Sequence, residues 1–403
     1  MTNLLPRRSL LNSAVAVVAA GSSQGCANLD RGAPVPSGRV RDATVLGLKN
    51  ERFFPALEIA PMEAEFARAG ERQQRALGVT TVADLPPWQL LAISGGGENG
   101  AFGAGLLCGW SEQGSRPTFE LVTGISTGAL TAPFAFLGPH YDGELRTVYT
   151  GLTPDKVLAP RGLTAALFDD AMADNKPLLK TISRYIDDKM LAELARAYDS
   201  GRLLLITSTD LDAQQPVIWN VGAIASSGHP RAVDTVRRIL LASAAIPGAF
   251  PPTMFDVTLE GVPHQEMHVD GGTFAQTFLY PTALTAQRRR RMTAGQRVLT
   301  ASAYVIRNGR LDPQWAGVER RTLGIVGRAI DTMITSSGYN DVVRIYDNTR
   351  RDGIDYNLAY IGRDFNEQLP APFDPAYMRA LFDYGYGHAR GGYDWAKKPP
   401  IVA

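Results

Sequence analysis

Short apolar runs alternate with helix-spaced segments through the middle of the chain. Residues 89–94 form a nearly continuous apolar run, and residues 119–123 form a second short one; both are typical of buried strands. Each run ends at a glycine-rich turn, after which residues 101–111 and 127–137 show helical spacing. Strand, turn and helix in this order, repeated twice, predict a parallel sheet that is covered by helices.

Further segments extend this pattern along the chain. Additional strands are predicted at residues 203–208, 216–220, 264–269 and 298–306, and additional helices at residues 61–77 and 233–245. After Leu311 the pattern becomes mostly helical. There an apolar stripe recurs mostly at three- and four-residue steps, and we interpret it as a face packed in the core. This stripe consists of Leu323, Val326, Ile330, Met333 and Ile334.

The first residues have the pattern of an export signal. Arg7 and Arg8 precede an apolar run at residues 14–20, which small residues follow, so residues 1–25 are predicted to be a secretory signal peptide. The run is too short to span a bilayer. The arginine pair resembles a twin-arginine export signal, and a general secretory signal is the alternative.

Cys26 lies where a bacterial lipoprotein is cleaved and acylated, with Gly25 before it. We therefore expect Cys26 to be the lipidation site, and we expect a lipoprotein anchored to a membrane of the bacterial cell envelope. The alternative is an incidental cysteine on a cleaved segment.

Composition divides the rest of the chain into three parts. Residues 26–87 are predicted to be an N-terminal tether with a helical extension, because residues 27–50 are rich in glycine, proline and charge. Residues 88–310 contain the strand and helix pattern and form the predicted catalytic domain. Residues 311–403 are predicted to be a mostly helical region that packs on this domain.

Composition and charge argue against several functional classes. The 403 residues are 45% apolar and 20% charged, and the net charge of +1 produces no field that favours nucleic acid. Cys26 and Cys108 are too few and too far apart for a disulfide framework. Because no cluster of histidine, cysteine and aspartate has metal-ligand spacing, neither a metal nor a cofactor is expected. The arginine run at residues 288–291 is interpreted as a solvated face, with docking on anionic lipid as the alternative.

A serine lies between two glycines at the end of the second predicted strand, in Gly124-Ile125-Ser126-Thr127-Gly128. Gly-x-Ser-x-Gly at a strand-to-helix junction forces a sharp turn that exposes the serine hydroxyl. The helix that follows directs its positive end toward this hydroxyl. Ser126 is therefore a candidate nucleophile for acyl transfer.

The loop Gly95-Gly96-Gly97-Glu98-Asn99-Gly100 permits two interpretations. Gly95, Gly97 and Gly100 fit the dinucleotide-binding pattern G-x-G-x-x-G. However, the acid that would bind a ribose should end the second strand, and Glu120 lies near its start. We favour an oxyanion loop, in which backbone N–H groups at a helix start stabilise the negative charge of an acyl-transfer intermediate.

The serine requires a base, and the residues leave two candidates. His388 fits the chain order serine, acid, histidine of a catalytic triad. Asp270, in Asp270-Gly271-Gly272, ends a predicted strand at the sheet edge where Ser126 is expected. A partly desolvated carboxylate can accept the serine proton directly. His268 is expected on the same side of that strand as Asp270, either lining the site or in a structural role.

These motifs, in this order, resemble the patatin-like phospholipase family. The loop at residues 95–100, the turn around Ser126, the stretch at residues 242–252 and the Asp270-Gly271-Gly272 motif carry the resemblance, which covers roughly Trp88 to Thr277. The resemblance implies a three-layer α/β/α fold with a mostly parallel central sheet. It also implies lipid acyl-ester hydrolysis by a Ser–Asp dyad without a catalytic histidine.

Carried over by position, the resemblance implies that Ser126 is the nucleophile and Asp270 the base. It also implies that Gly95, Gly96 and Gly97 supply the oxyanion-hole N–H groups. The chain departs from the family at Asn99, where arginine or lysine is usual, so the headgroup preference is open. The expected partners are a lipid or other acyl-ester substrate and a membrane surface.

Two rival hypotheses come from other classes. An α/β-hydrolase-type esterase would use a Ser126–Asp–His388 triad, although the short spacing between the glycine loop and Ser126 argues against it. A non-catalytic envelope lipoprotein would keep the fold as a binding scaffold, although the presence of both Ser126 and Asp270 argues against that role.

Overall fold

The computed structural model describes residues 31–81, 84–161 and 169–400 of the chain. The predicted signal peptide (residues 1–25) and the predicted lipidation site Cys26 lie outside the described residues.

The described strands are short and are distributed along the whole chain. They are β1 (Arg52–Phe53), β2 (Trp88–Ile93), β3 (Leu121–Ile125), β4 (Ala159–Pro160), β5 (Ala173–Asp174), β6 (Leu203–Asp210), β7 (Gln215–Asn220), β8 (Thr253–Leu259), β9 (Val262–Asp270), β10 (Ala301–Arg307) and β11 (Asp355–Tyr360).

The described helices fill most of the connections between these strands. They are α1 (Ala60–Leu77), α2 (Gly100–Gln113), α3 (Thr127–Leu137), α4 (Asp142–Gly151), α5 (Pro154–Val157), α6 (Lys176–Tyr185), α7 (Asp188–Asp199), α8 (Val221–Ser226), α9 (Ala232–Ser243), α10 (Ala286–Thr293), α11 (Thr322–Arg351) and α12 (Pro375–Arg390).

Most of these strands form one mixed sheet. Its path runs β1-β7-β6-β3-β2-β10-β11, and β9 pairs with both β6 and β8, which makes nine strands in the described part of the chain. The central pairs β6–β3, β3–β2, β2–β10 and β10–β11 are parallel. The carboxyl ends of these strands therefore lie at one edge of the sheet, where α/β folds place their ligand sites.

Each central strand alternates its side chains between two separate apolar cores. In β2, Leu91 and Ile93 belong to the core that includes α2, α3 and α12, whereas Leu90 and Ala92 belong to the core on the opposite face. That second core includes Met62 of α1 and residues of α11. Helices therefore cover both faces of the sheet, and the predicted three-layer α/β/α architecture with a mostly parallel central sheet is confirmed.

The predicted strands and helices of residues 61–306 are confirmed, with boundaries shifted by a few residues at most. The sequence pattern missed β1, β4, β5, β8 and β11, of which the first three are two residues long. It also missed helices α4 to α8 and α10. The C-terminal region, predicted to be mostly helical, contributes the edge strand β11 as well as helices.

The tether prediction for residues 27–50 is wrong for its described part. Val35, Val40 and Ala43 are buried in the core. Backbone hydrogen bonds hold the segment in place. The Gln265 N–H donates to the Ala33 oxygen, and Thr44 forms an antiparallel β-bridge with Thr258 in β8. A composition rich in glycine, proline and charge predicts an irregular backbone, and the backbone is irregular here. It nevertheless packs against the β8–β9 hairpin.

The interpretation of the apolar stripe on α11 as a core face is also wrong. Val326, Ile330, Met333 and Ile334 are exposed, and the buried residues of this helix lie further along, at Val342 and Ile345.

Among the helices that the structure describes, none is both long enough and apolar enough to cross a membrane.

Candidate active site

Ser126 occupies a strained turn between β3 and α3. Its φ of 55° and ψ of −127° lie outside the regions that residues other than glycine normally adopt. Such a conformation costs on the order of 1–3 kcal/mol and persists when surrounding packing enforces it. The helix begins at Thr127, directly after the serine. The side chain therefore lies at the carboxyl edge of the sheet and at the positive end of a helix.

The two glycines that flank Ser126 allow this turn to pack closely. A Cβ at Gly124 would lie 2.6 Å from the Gly128 carbonyl oxygen, and a Cβ at Gly128 would lie 2.2 Å from the Ile93 carbonyl oxygen. Both distances are shorter than a side-chain carbon tolerates. The glycines therefore let α3 approach β3 and β2, which explains why the motif needs them at these positions.

Ser243 holds the turn in place. The Ser126 N–H donates to Ser243 Oγ at 3.0 Å, and Ser243 Oγ donates to the Thr207 oxygen at 2.7 Å. This bridge links the end of α9 to β6 and to the nucleophile's own backbone. Ser243 lies in the stretch at residues 242–252 that carried the family resemblance, but its spacing from Ser126 gave no sign of this contact.

Asp270 lies at the same level of the sheet as Ser126. Ile125 of β3 pairs with Thr207 of β6, and the next residue, Ser208, pairs with Asp270 of β9. The following glycines fit this placement, since a Cβ at Gly271 would lie 2.4 Å from the Thr207 oxygen. The structure therefore brings the two residues of the predicted dyad together.

The Asp270 carboxylate is buried and only partly satisfied. Oδ1 accepts the Gly272 N–H at 2.7 Å, whereas Oδ2 has no hydrogen bond of good geometry among the described residues. Burial raises the pKa of Asp270 to about 7, although the Ser126 hydroxyl and the Gly272 N–H both lower it. A carboxylate with such a pKa is a stronger proton acceptor than an exposed one near neutral pH.

The glycine loop leads from β2 into α2 beside this pair. A Cβ at Gly95 would lie 3.1 Å from the Ser126 Cβ, and Gly97, with a φ of 58°, shares a cavity wall with Ser126. Gly95 differs from the expectation, because its N–H already donates to the Gln276 oxygen at 2.9 Å. In the described part of the chain, no backbone oxygen accepts from the Gly96 or Gly97 N–H. Of the three glycines predicted to form the oxyanion hole, Gly96 and Gly97 therefore have an available N–H.

Two residues at the end of β10, Arg307 and Asn308, clamp this loop. Asn308 donates through Nδ2 to the Ser94 oxygen at 2.9 Å and accepts the Gly103 N–H at 3.0 Å. Arg307 donates to the Gly95 oxygen at 3.1 Å. Asn99, the departure from the family pattern, accepts from the Tyr377 hydroxyl at 2.7 Å. Sequence reasoning missed these contacts, because each joins segments more than 200 residues apart.

An apolar cavity opens from Ser126 into the helical layer. Its empty volume is about 790 Å³ when the space open to solvent is included. Ser126, Gly97 and Thr127 lie at one part of the wall. The remaining wall is mostly apolar side chains of α3, α4, α6 and α9, among them Leu130, Phe134, Val148, Leu152, Leu178, Ile182, Ile186 and Leu240.

His388, the alternative base, lies elsewhere. It is half-exposed near the end of α12, where Nε2 lies 3.5 Å from Asp364 Oδ2. Met378 of the same helix lines the cavity, and ten residues of helix separate the two by ~15 Å along the axis. The structure therefore pairs His388 with an acid on the surface and does not bring it to Ser126.

A second polar cluster lies buried beyond Asp270 on β9. Ligand-type atoms of Asp210, Glu266 and His268 lie within 4.8 Å of one another. Most of these atoms are already engaged: Arg52 pairs with Glu266, and the His268 ring nitrogens contact Ser208 Oγ at 2.8 Å and Glu266 at 3.2 Å. Although burial opposes it, Arg52 lowers the pKa of Glu266 to about 2. We interpret the cluster as a brace between β6 and β9, which gives His268 a structural role.

A comparison with protein-family models agrees with the motifs. Residues 91–282 match the family model described as patatin-like phospholipase. The solved structure of VipD from Legionella pneumophila is similar at 11% sequence identity and a TM-score of 0.37, covering 77% of this chain and 67% of that one. A search of curated protein sequences gave no match. Residues 91–282 of this chain are therefore a patatin-like phospholipase domain.

Proposed function

We propose that this chain is a serine hydrolase of lipid acyl esters, with Ser126 as nucleophile and Asp270 as base. The observation that carries the proposal is the position of a strained, glycine-flanked serine beside a buried carboxylate with a raised pKa, at the wall of an apolar cavity. The patatin-like phospholipase domain supports a lipid substrate.

In the first half of the reaction, Ser126 Oγ attacks the acyl carbonyl carbon while Asp270 takes its proton. The negative charge that develops on the carbonyl oxygen is stabilised by the Gly96 and Gly97 N–H groups and by the positive end of α3. The tetrahedral intermediate then releases the alcohol, which receives the proton from Asp270. An acyl-enzyme ester on Ser126 remains.

In the second half, Asp270 removes a proton from a water molecule that attacks the acyl-enzyme. The same N–H groups stabilise the second tetrahedral intermediate, and Ser126 leaves with the proton that Asp270 returns. The products are a carboxylic acid and the free enzyme. No histidine takes part, which agrees with the position of His388 on the surface.

The apolar cavity should give the enzyme a preference for substrates with long acyl chains. Because its wall is mostly apolar, methylene groups bound there leave water, at about 0.8 kcal/mol for each group. Turnover should therefore favour longer chains until the cavity is filled. Polar atoms within the wall, such as the Tyr149 hydroxyl, are already hydrogen-bonded to Thr127 and Thr131.

A series of p-nitrophenyl acetate, butyrate, octanoate and laurate esters tests this proposal. We expect kcat/KM to rise with chain length and to vanish in Ser126→Ala. Ile182→Trp should fill part of the cavity and shift the preference toward short chains by about tenfold or more. Lys180→Trp, on the exposed side of the same helix, is the matched control and should keep the wild-type order. A flat chain-length profile would argue against acyl binding in this cavity.

We also propose that the chain is exported and anchored through Cys26, on the basis of the pattern in residues 1–26. Expression in a bacterium that is fed radioactive palmitate should label the protein, and Cys26→Ser should abolish the label. Labelling that persists in this variant would contradict the proposal.

A further inference from the structure

In the described part of the chain, most of the N-terminal half of α11 is exposed to solvent. Every residue from 324 to 336 is exposed except Arg328, which is half-buried. Burial begins at Gly338 and continues through Val342 and Ile345. An isolated helix of this length is only marginally stable in water, because helices in proteins gain most of their stability from packing an apolar face against the rest of the protein.

The exposed segment nevertheless has such a face. Ile325, Val326 and Ile330 are each about half exposed, and Met333 is 70% exposed. The loop before the helix adds Trp315, which is 93% exposed. Several large exposed apolar side chains along one stretch of helix, as distinct from single ones, mark a surface that binds something. We call residues 315–337 the α11 overhang.

The overhang projects past the catalytic edge of the sheet. Because β10 and β11 are parallel neighbours, the helix between them runs against the strands. Gly338 lies beside Arg307 at the end of β10, and Asp341 accepts the Gln276 N–H at 2.6 Å. The helix before Gly338 therefore extends ~24 Å beyond the carboxyl edge, where Ser126 lies.

We propose that the α11 overhang is the surface by which this protein docks on a lipid bilayer. The choice of lipid rests on the proposed function, because a lipid hydrolase has to bring its serine to a membrane. Ile330 and Met333 would insert at the boundary between headgroups and acyl chains, as the apolar faces of interfacial helices do. Trp315 would lie at the headgroup level, where tryptophan is favoured.

The charges of the overhang fit a bilayer with some anionic lipid. The segment has three arginines, Arg320, Arg321 and Arg328, against two acids, Glu319 and Asp331. Arg320 and Arg321 lie at the exposed start of the helix, with Arg321 Nε 3.7 Å from Glu319 Oε2, so this end of the overhang would reach anionic headgroups first. A bilayer on the overhang would present substrate at the sheet edge that contains Ser126.

Flotation with vesicles tests the docking surface directly. The full-length chain would carry Ser126→Ala and Cys26→Ser, so that neither hydrolysis nor acylation contributes to binding. It is mixed with vesicles of phosphatidylcholine and phosphatidylglycerol in equal parts. We expect the protein to float with the vesicles and the double change Ile330→Glu/Met333→Glu to weaken binding by about tenfold or more, because it places two charges in the apolar face.

Leu77→Glu is the matched control. Leu77 is 52% exposed, as Ile330 is, but it lies at the end of α1, near the opposite edge of the sheet. This variant should bind vesicles like the parent chain. Equal binding by the Ile330→Glu/Met333→Glu variant and the parent would overturn the proposal. So would a parent chain that ignores vesicles but forms a dimer that Ile330→Glu dissociates, since the occupant would then be a second copy.

Failure of the docking proposal can be distinguished from failure of the proposed function, because binding and hydrolysis are measured separately. Docking is measured on the inactive Ser126→Ala chain, so it does not depend on catalysis. With Ser126 restored, Ile330→Glu/Met333→Glu should hydrolyse soluble p-nitrophenyl butyrate at the wild-type rate and vesicle phospholipid about tenfold or more slowly. Loss of both activities with the fold intact would place the overhang in catalysis instead of docking.

Discussion

At the scale of single residues, the proposed mechanism depends on the protonation of one buried carboxyl group, Asp270. Burial raises the pKa of Asp270 to about 7, and the base must be ionised to accept the serine proton. We therefore expect kcat/KM for a soluble ester to fall by about tenfold for each pH unit below about 7 and to level off above it. A profile that stays flat down to about pH 5 would exclude Asp270 as the titrating base.

The raised pKa of Asp270 also makes the stability of the folded protein depend on pH. Asp270 ionises near pH 4 in the unfolded chain but near pH 7 in the folded one, so folding loses stability as the pH rises between these values. The loss is complete above about pH 7 and amounts to at most ~4 kcal/mol. Asp270→Asn removes this cost. The variant should be more stable than wild type at about pH 8, with the difference shrinking toward pH 4.

Urea denaturation at these two pH values measures the effect. Asp383→Asn, at an exposed position of α12, is the control and should leave the pH dependence unchanged. If Asp270→Asn destabilised the protein equally at both pH values, the carboxylate would be a structural hydrogen-bond acceptor and not a desolvated base.

At the scale of elements, the site depends on how closely α3 approaches the sheet. Gly128→Ala would place a Cβ 2.2 Å from the Ile93 oxygen, so the helix must shift and carry Ser126 with it. We expect a loss of about 1–3 kcal/mol in unfolding free energy and a larger proportional loss of activity. Gly143→Ala, in α4 with open space around it, should instead stabilise the protein by up to about 1 kcal/mol.

Thermal unfolding and ester hydrolysis are measured for both variants, so that Gly128, which is surrounded by close contacts, is compared with Gly143, which has open space around it. If Gly128→Ala kept full activity and stability, the close approach of α3 would not be needed to position the nucleophile.

The sequence was sufficient for the elements around the site because their patterns are local. The apolar run at residues 89–94, the serine turn and the acid at the end of β9 each carry their signal within ten residues. The pattern also marks an apolar face on α11, but periodicity does not say what covers such a face. That is why the stripe at Val326 and Ile330 was assigned to the core although it is exposed.

The supports of the site could not be predicted from the sequence. Ser243 reaches the Ser126 backbone across 117 residues, and Asn308 reaches Ser94 across 214. Serine and asparagine are common in turns, so their identity indicates no partner. The engagement of the Gly95 N–H by Gln276 likewise depends on the path of the loop after β9. These contacts arise from tertiary packing.

At the scale of the whole molecule, three parts of the chain meet at one edge of the sheet. The 88–310 segment supplies Ser126, Asp270 and the glycine loop. The C-terminal region braces that loop through Tyr377, holds Gln276 after β9 through Asp341, and extends α11 past the edge. Residues 31–50 pack against the β8–β9 hairpin that ends at Asp270. The proposed sites of substrate binding, catalysis and membrane contact therefore lie on one side of the described structure.

Hydrolysis of p-nitrophenyl butyrate by wild type, Ser126→Ala, Asp270→Asn and His388→Ala tests the central claim most directly. Circular dichroism of each variant establishes that it is folded. A Ser–Asp dyad predicts that the first two variants lose at least about a thousandfold in kcat, as removal of a nucleophile or its base does, while His388→Ala stays within about twofold of wild type. A folded His388→Ala protein without activity, or an active Asp270→Asn protein, would contradict the dyad.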